Sequence, residues 1–281
     1  MCGSSRRSRF KRKAQGKKLK RRLFIASSAL AAVGARAQVA DLNDAINKAG
    51  RQRMLSQRAS KAYLALAQQV ETRNAQQVLE KSIALFDKQL AELKAFAPSP
   101  AIRTTYDALD GAWLGFKREL TGPAPGKEEA ARIIKLDAAV LALANQGTTQ
   151  YEATSGKPVG RLVNIAGRQR MLSQRMAKFY LAGAMQIDAP GSTAEIAKSR
   201  SEFLAGLDTL RNAPEATAQI RQELVLADAQ WMFFNRGLQR LEGAGTSPAL
   251  LSDVFVTSEN MLAIMDRVTG LYSDLKPRDP S

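Results

Sequence analysis

At 281 residues and 45% hydrophobic composition, the chain is long enough to bury a core, yet it has no histidine and one cysteine. Ser-His-Asp and Cys-His catalytic arrangements and His-based zinc sites are therefore excluded. The formal charge of +16 suggests a nucleic-acid binder, but residues 1–37 hold 12 of the 42 basic residues and no acid, leaving +4 on the rest; a nearly balanced body excludes a basic nucleic-acid footprint.

The first segment, residues 1–37, joins that basic leader to an apolar run, Leu23 to Ala35, and a small-x-small tripeptide, Ala35-Arg36-Ala37. It reads as an export signal cleaved before Gln38, with Lys20-Arg21-Arg22-Leu23-Phe24-Ile25 compatible with the twin-arginine route as well as the ordinary one. An uncleaved anchor or a nucleic-acid-binding arm is the alternative, but a 13-residue run is short of the roughly 20 residues that span a bilayer. The expected product is periplasmic, without a transmembrane segment, and Cys2 leaves with the leader.

From residue 38 onward Ala, Leu, Gln, Glu, Lys and Arg dominate, and Pro and Gly gather at intervals, so the chain reads as all-α. Eight helices are predicted, over 40–71, 75–96, 101–120, 127–154, 159–187, 193–211, 215–241 and 248–275. They fall into two corresponding sets of four. Ile46–Ala65 and Val163–Ala182 share 15 of 20 residues at an offset of 117. Asp110, Trp113 and Phe116 match Asp228, Trp231 and Phe234 at 118. A period this long indicates two tandem antiparallel four-helix bundles, 38–155 and 156–281, and not a solenoid. Trp113 with Phe116 and Leu120, and Trp231 with Phe234 and Leu238, have the spacing of a core stripe.

The most conspicuous duplicated segment runs from Asn47 through Ala49-Gly50-Arg51-Gln52-Arg53-Met54-Leu55-Ser56-Gln57-Arg58, and again from Asn164 through Ala166-Gly167-Arg168-Gln169-Arg170-Met171-Leu172-Ser173-Gln174-Arg175. On a helical projection Arg53 lies among Ile46, Gly50, Gln57, Ser60 and Leu64, and Arg170 lies among Val163, Gly167, Gln174, Ala177 and Leu181. Arg51, Arg58, Arg168 and Arg175 lie elsewhere, as solvated or interhelical charges. A guanidinium set in a stripe of small and apolar residues keeps its charge and needs an anion. Two readings stay open. Either Arg53 and Arg170 converge on one small planar anion, with Gly50, Gly167, Ser56, Ser173, Gln57 and Gln174 around it, or each pairs with a carboxylate of its own bundle, for which Asp110 and Asp228 are the candidates.

Both copies resemble the signature helix of the PilJ/NarX-type sensor domain, found outside the membrane in nitrate and nitrite sensor kinases and in type IV pilus chemotaxis transducers. The pattern Asn-x-Ala-Gly-x-x-Arg-Met-x-Ser-x-Arg matches in full in both. The resemblance implies a four-helix bundle whose first helix carries the ligand-binding arginine, here Arg53 and Arg170, which in the nitrate sensors binds between two such helices of a homodimer. It implies nitrate or nitrite as ligand, a sensory role, and a membrane-bound sensor kinase or chemotaxis transducer as partner. The expected function is small-anion binding by a soluble periplasmic module that builds from two halves what the family builds from two chains. The alternative is a ligand-free helical bundle that docks on such a partner. No acid, base or nucleophile stands out, so the chain is read as a non-enzyme requiring no cofactor and no metal.

Overall fold

The computed structural model describes residues 39–122, 124–240 and 247–275; the expected signal segment and its cleavage point before Gln38 lie outside them. The described residues belong to one compact unit containing eight helices: α1 (Leu42–Ala67), α2 (Thr72–Phe96), α3 (Pro100–Thr121), α4 (Lys127–Ser155), α5 (Pro158–Ala184), α6 (Ala189–Arg211), α7 (Ala218–Gln239) and α8 (Pro248–Ser273). No strand occurs among the described residues, and no helix among them is long and apolar enough to cross a membrane.

Local sequence sets the helix ends. Asp41, Ser99, Thr217 and Ser247 cap α1, α3, α7 and α8, each accepting the N–H of the residue three further on, a contact contributing about 1 kcal/mol. Pro100, Pro158 and Pro248 occupy first-turn positions, where the absent N–H is not missed. Gly156, at a φ of 59°, ends α4 in the left-handed conformation. The first and fifth helices stop three or four residues earlier than the periodicity suggests. Gln69 and Glu71, and their counterparts Gln186 and Asp188, take positive φ, so the same tight turn is built twice. In the second copy Asp188 accepts the N–H of Gly191 at 3.2 Å and draws Pro190 into the first turn of α6, where sequence alone suggested a loop.

α1 and α5 form the centre. α1 packs on α2, α4 and α5, and α5 packs on α6, α8 and α1, while α3 and α7 lie outermost against α4 and α8. The central pair runs parallel: Ile46 lies against Gly160 near one end, and Gln68 Nε2 donates to the Leu181 carbonyl at 3.2 Å near the other. The halves are thus related by a pseudo-two-fold axis along these helices. Equivalent contacts repeat across it. Phe86 stacks on Trp113 with centroids 3.7 Å apart, and Phe203 stacks on Trp231 at 4.8 Å; Tyr151 donates to the Leu93 carbonyl and Tyr272 to that of Leu210. These tyrosines set the register of the fourth helices, α4 onto α8, at an offset of 121.

The tryptophan expectation holds fully in one half. Trp113 is buried, with Nε1 donating to Asp87 at 2.7 Å. Trp231 is only half-buried, because the position equivalent to Asp87 is Leu204, which offers the indole no acceptor.

Candidate functional site

The duplicated motif lies where α1 and α5 meet. A methyl group added at Gly50 would stand 3.2 Å from Arg53 Nη2, 3.7 Å from Arg170 Nη2 and 3.8 Å from Gly167 Cα; one added at Gly167 meets the reciprocal atoms at the same distances. The absence of a Cβ at both positions therefore lets the two backbones approach and leaves the space that the two guanidinium groups fill. Arg53 and Arg170 are 1% and 0% exposed.

Each arginine reaches across the axis. Arg53 Nη2 donates to the side-chain oxygen of Asn164 at 2.7 Å and to its carbonyl at 3.3 Å, while Nη1 donates to Asn145 Oδ1 on α4 at 2.9 Å. Arg170 Nη2 donates to the carbonyl of Asn47 at 3.0 Å. Its Nη1 meets Asp266 on α8 at 2.5 Å, and Arg51 Nη2 reaches the same carboxylate at 2.9 Å. Asp266 is the structural equivalent of Asn145. One arginine of the pair thus holds a carboxylate while the other, equally buried, is held by two neutral amides. The nearest negative charge is relayed to Arg53 through Asn164, whose Nδ2 donates to Glu152.

Electrostatics follow from that imbalance. Burial, with Arg168 and Arg170 nearby, pushes Arg53 down to about 9; burial and Arg51 push Arg170 down to about 10, against the pull of Asp266. Both stay charged at neutral pH. Burial raises the Asp266 carboxyl, but Arg170 and Arg51 outweigh it and hold it at about 2. Arg53 Nε, Arg170 Nε and Asn47 Oδ1 are buried without partners among the described residues.

The structure brings Gly50, Gly167, Arg53 and Arg170 together at one point. Ser56, Ser173, Gln57 and Gln174 sit one turn further on, all buried. Ser56 and Ser173 donate to the carbonyls of Arg53 and Arg170 in their own helices, and Gln174 donates to the Ser258 carbonyl. The carboxylates named in the alternative reading are elsewhere. Asp110 pairs with Lys94 at 2.6 Å and Asp228 with Arg211 at 2.6 Å, because the outermost helices α3 and α7 turn those residues toward their neighbours at the surface. Arg51, Arg58, Arg168 and Arg175 are interhelical, pairing with Asp266, Glu259, Glu202 and Glu195.

Sequence reasoning missed a second buried layer, two turns beyond the arginines. Lys61 donates to Ser258 at 2.8 Å and pairs with Glu259 at 2.6 Å on α8; Lys178 pairs with Asp137 on α4 at 2.8 Å, and Ser60 donates to the same carboxylate. Both lysines cross to the opposite half. Burial drives Lys61 down to about 8, partly offset by Glu259; burial likewise lowers Lys178 against Asp137. Their identity within the repeat, Lys61 matching Lys178, was the available signal.

Among known families, the model for the N-terminal domain of type IV pili methyl-accepting chemotaxis transducers, PilJ, matches the sequence twice, over residues 36–150 and 151–256. No curated protein and no solved structure matches it.

Proposed function

Since the chain belongs to the PilJ family of type IV pili methyl-accepting chemotaxis transducer N-terminal domains and carries that domain twice, we propose that it is a sensory module in which the two copies form one receptor for a small planar oxyanion of the nitrate or nitrite kind, held between Arg53 and Arg170. The observation that carries this reading is the excess of positive charge at the α1–α5 contact. Two fully buried guanidinium groups share that contact, and only Arg170 has a carboxylate at hand. An unneutralised charge out of water is costly, and a bound anion relieves it by taking over arginine donors now spent on the neutral acceptors Asn145, Asn164 and Asn47.

The parallel α1–α5 pair also supports the idea that one chain supplies both helices of a receptor. Anion binding then strengthens the contact between the halves, and a membrane-bound transducer or kinase outside this chain reads the change from the periplasmic side. Titration calorimetry of the purified protein with nitrate, nitrite, sulfate and chloride tests the reading. It expects one planar anion per chain, preferred over sulfate and chloride. Absence of binding by all four, in a folded protein, returns the arginines to a purely structural role.

A further inference from the structure

The pseudo-two-fold axis makes two grooves that ought to be equivalent. One lies between α8, α1 and α2, the other between α4, α5 and α6. In the first, the motif's other two arginines are neutralised across the halves: Arg51 by Asp266 and Arg58 by Glu259, the latter at 2.5 Å with both Nε and Nη2 donating. In the second, the positions equivalent to Asp266 and Glu259 are Asn145 and Ala138. Both carboxylates are gone. Arg168 and Arg175 turn instead to Glu202 and Glu195 of α6, and a cavity of about 280 Å³ opens beside Ala138, Asn145, Arg168, Arg175, Lys198 and Ser199.

We propose that this second groove is an anion site distinct from the Arg53–Arg170 pair, and that its ligand is a small organic dicarboxylate. The chemistry of the wall supports the class. Arg168, Arg175 and Lys198 outnumber the two acids beside them, Glu202 in the wall and Glu195, which pairs with Arg175. The Arg168–Glu202 pair is 43% and 31% exposed, so it is worth little and yields readily to a competing carboxylate. Asn145 spends its oxygen on Arg53, which leaves amide N–H donors suited to an anion. The size supports the class too. The cavity far exceeds one water, about 30 Å³, and lies just under the roughly 300–1,000 Å³ of drug-sized sites. Arg168 and Arg175 are seven residues apart, about 10 Å along the helix, so a ligand with a carboxylate at each end meets both arginines in place of Glu202 and Glu195, as Asp266 and Glu259 meet Arg51 and Arg58 in the other groove.

The test is calorimetry with succinate, glutarate and adipate, with acetate as the monocarboxylate control, on the wild-type protein, Ala138→Glu and Lys198→Ala. Ala138 is exposed on α4, so glutamate there is compatible with the fold and restores the arrangement of Glu259 with Arg58. Saturable dicarboxylate binding is expected in the wild type, with acetate much weaker. Ala138→Glu lowers the affinity more than tenfold without lowering the melting temperature, Lys198→Ala lowers it severalfold, and nitrate neither competes nor changes affinity in either variant. Absence of dicarboxylate binding at millimolar concentration overturns the proposal. So does binding unaffected by Ala138→Glu, or binding that nitrate displaces and Arg53→Gln abolishes, which would assign the ligand to the central pair.

Discussion

Arg53 on α1 grips Asn164 on α5 through both the side-chain oxygen and the carbonyl, so the arginine of one half is positioned by the first residue of the other half's motif. Gly50 and Gly167 make room for this exchange. Gly50→Ala gains helix propensity, up to about 1 kcal/mol, while its methyl group meets the movable end of Arg53 at 3.2 Å. Chemical denaturation is expected to show a stability change within about 1 kcal/mol, whereas anion affinity falls because the guanidinium is displaced. Equal affinity in the variant would remove the glycine from the site.

The buried Lys178–Asp137 pair, with side chains 1% and 2% exposed, is harder to break than to replace. Asp137→Ala strands an ammonium in the core and also frees the Ser60 hydroxyl, and its expected cost is about 3–5 kcal/mol in urea unfolding. Replacing both, as in Asp137→Leu with Lys178→Met, is expected to recover most of that loss, since two apolar side chains need no partners.

Acid should loosen the contacts made by α8. Burial raises the Glu259 carboxyl, but Lys61 and Arg58 outweigh it and hold it at about 2; Asp266 is held at about 2 by Arg170 and Arg51. Both values lie below those of an unfolded carboxyl, about 4. The unfolded chain therefore binds more protons between pH 4 and pH 2, and stability present above about pH 4 is lost as pH falls through that window. Melting temperatures across this range are expected to drop, and Glu259→Gln is expected to remove on the order of 2 kcal/mol of the pH-dependent part.

The repeat also predicts a compensating pair. A methyl group at Gly147 would meet the Tyr106 ring at 2.9–3.1 Å, a rigid neighbour, so Gly147→Ala is expected to cost about 1–3 kcal/mol by overpacking. In the other half the equivalent residues are Leu224 and Val268. Adding Tyr106→Leu to Gly147→Ala should therefore restore much of the loss, measured by thermal unfolding of both variants.

The helices, their order and the placement of Arg53 and Arg170 in matching stripes of small and apolar residues were legible because they rest on periodicity, Pro and Gly punctuation and an internal repeat; whether the two arginines meet was left open by the sequence. The arginines' partners were not legible. Asp110 and Asp228 match across the repeat as Trp113 and Trp231 do, but matching marks equivalence, not contact, and they face neighbours on the outermost helices. Asp266, Asn145 and Glu259 lie on the fourth helices, where few residues match between α4 and α8 and the structural placement of Tyr151 and Tyr272 sets the register. The imbalance between the halves lies in those unmatched residues.

The claim that one anion bridges the two copies is tested most directly by nitrate titration of the wild type beside Arg53→Gln and Arg170→Gln, with folding checked by circular dichroism. One site per chain is expected in the wild type, with loss of binding in each variant while the helical signal persists. Two independent sites, or binding that survives either substitution, would contradict it.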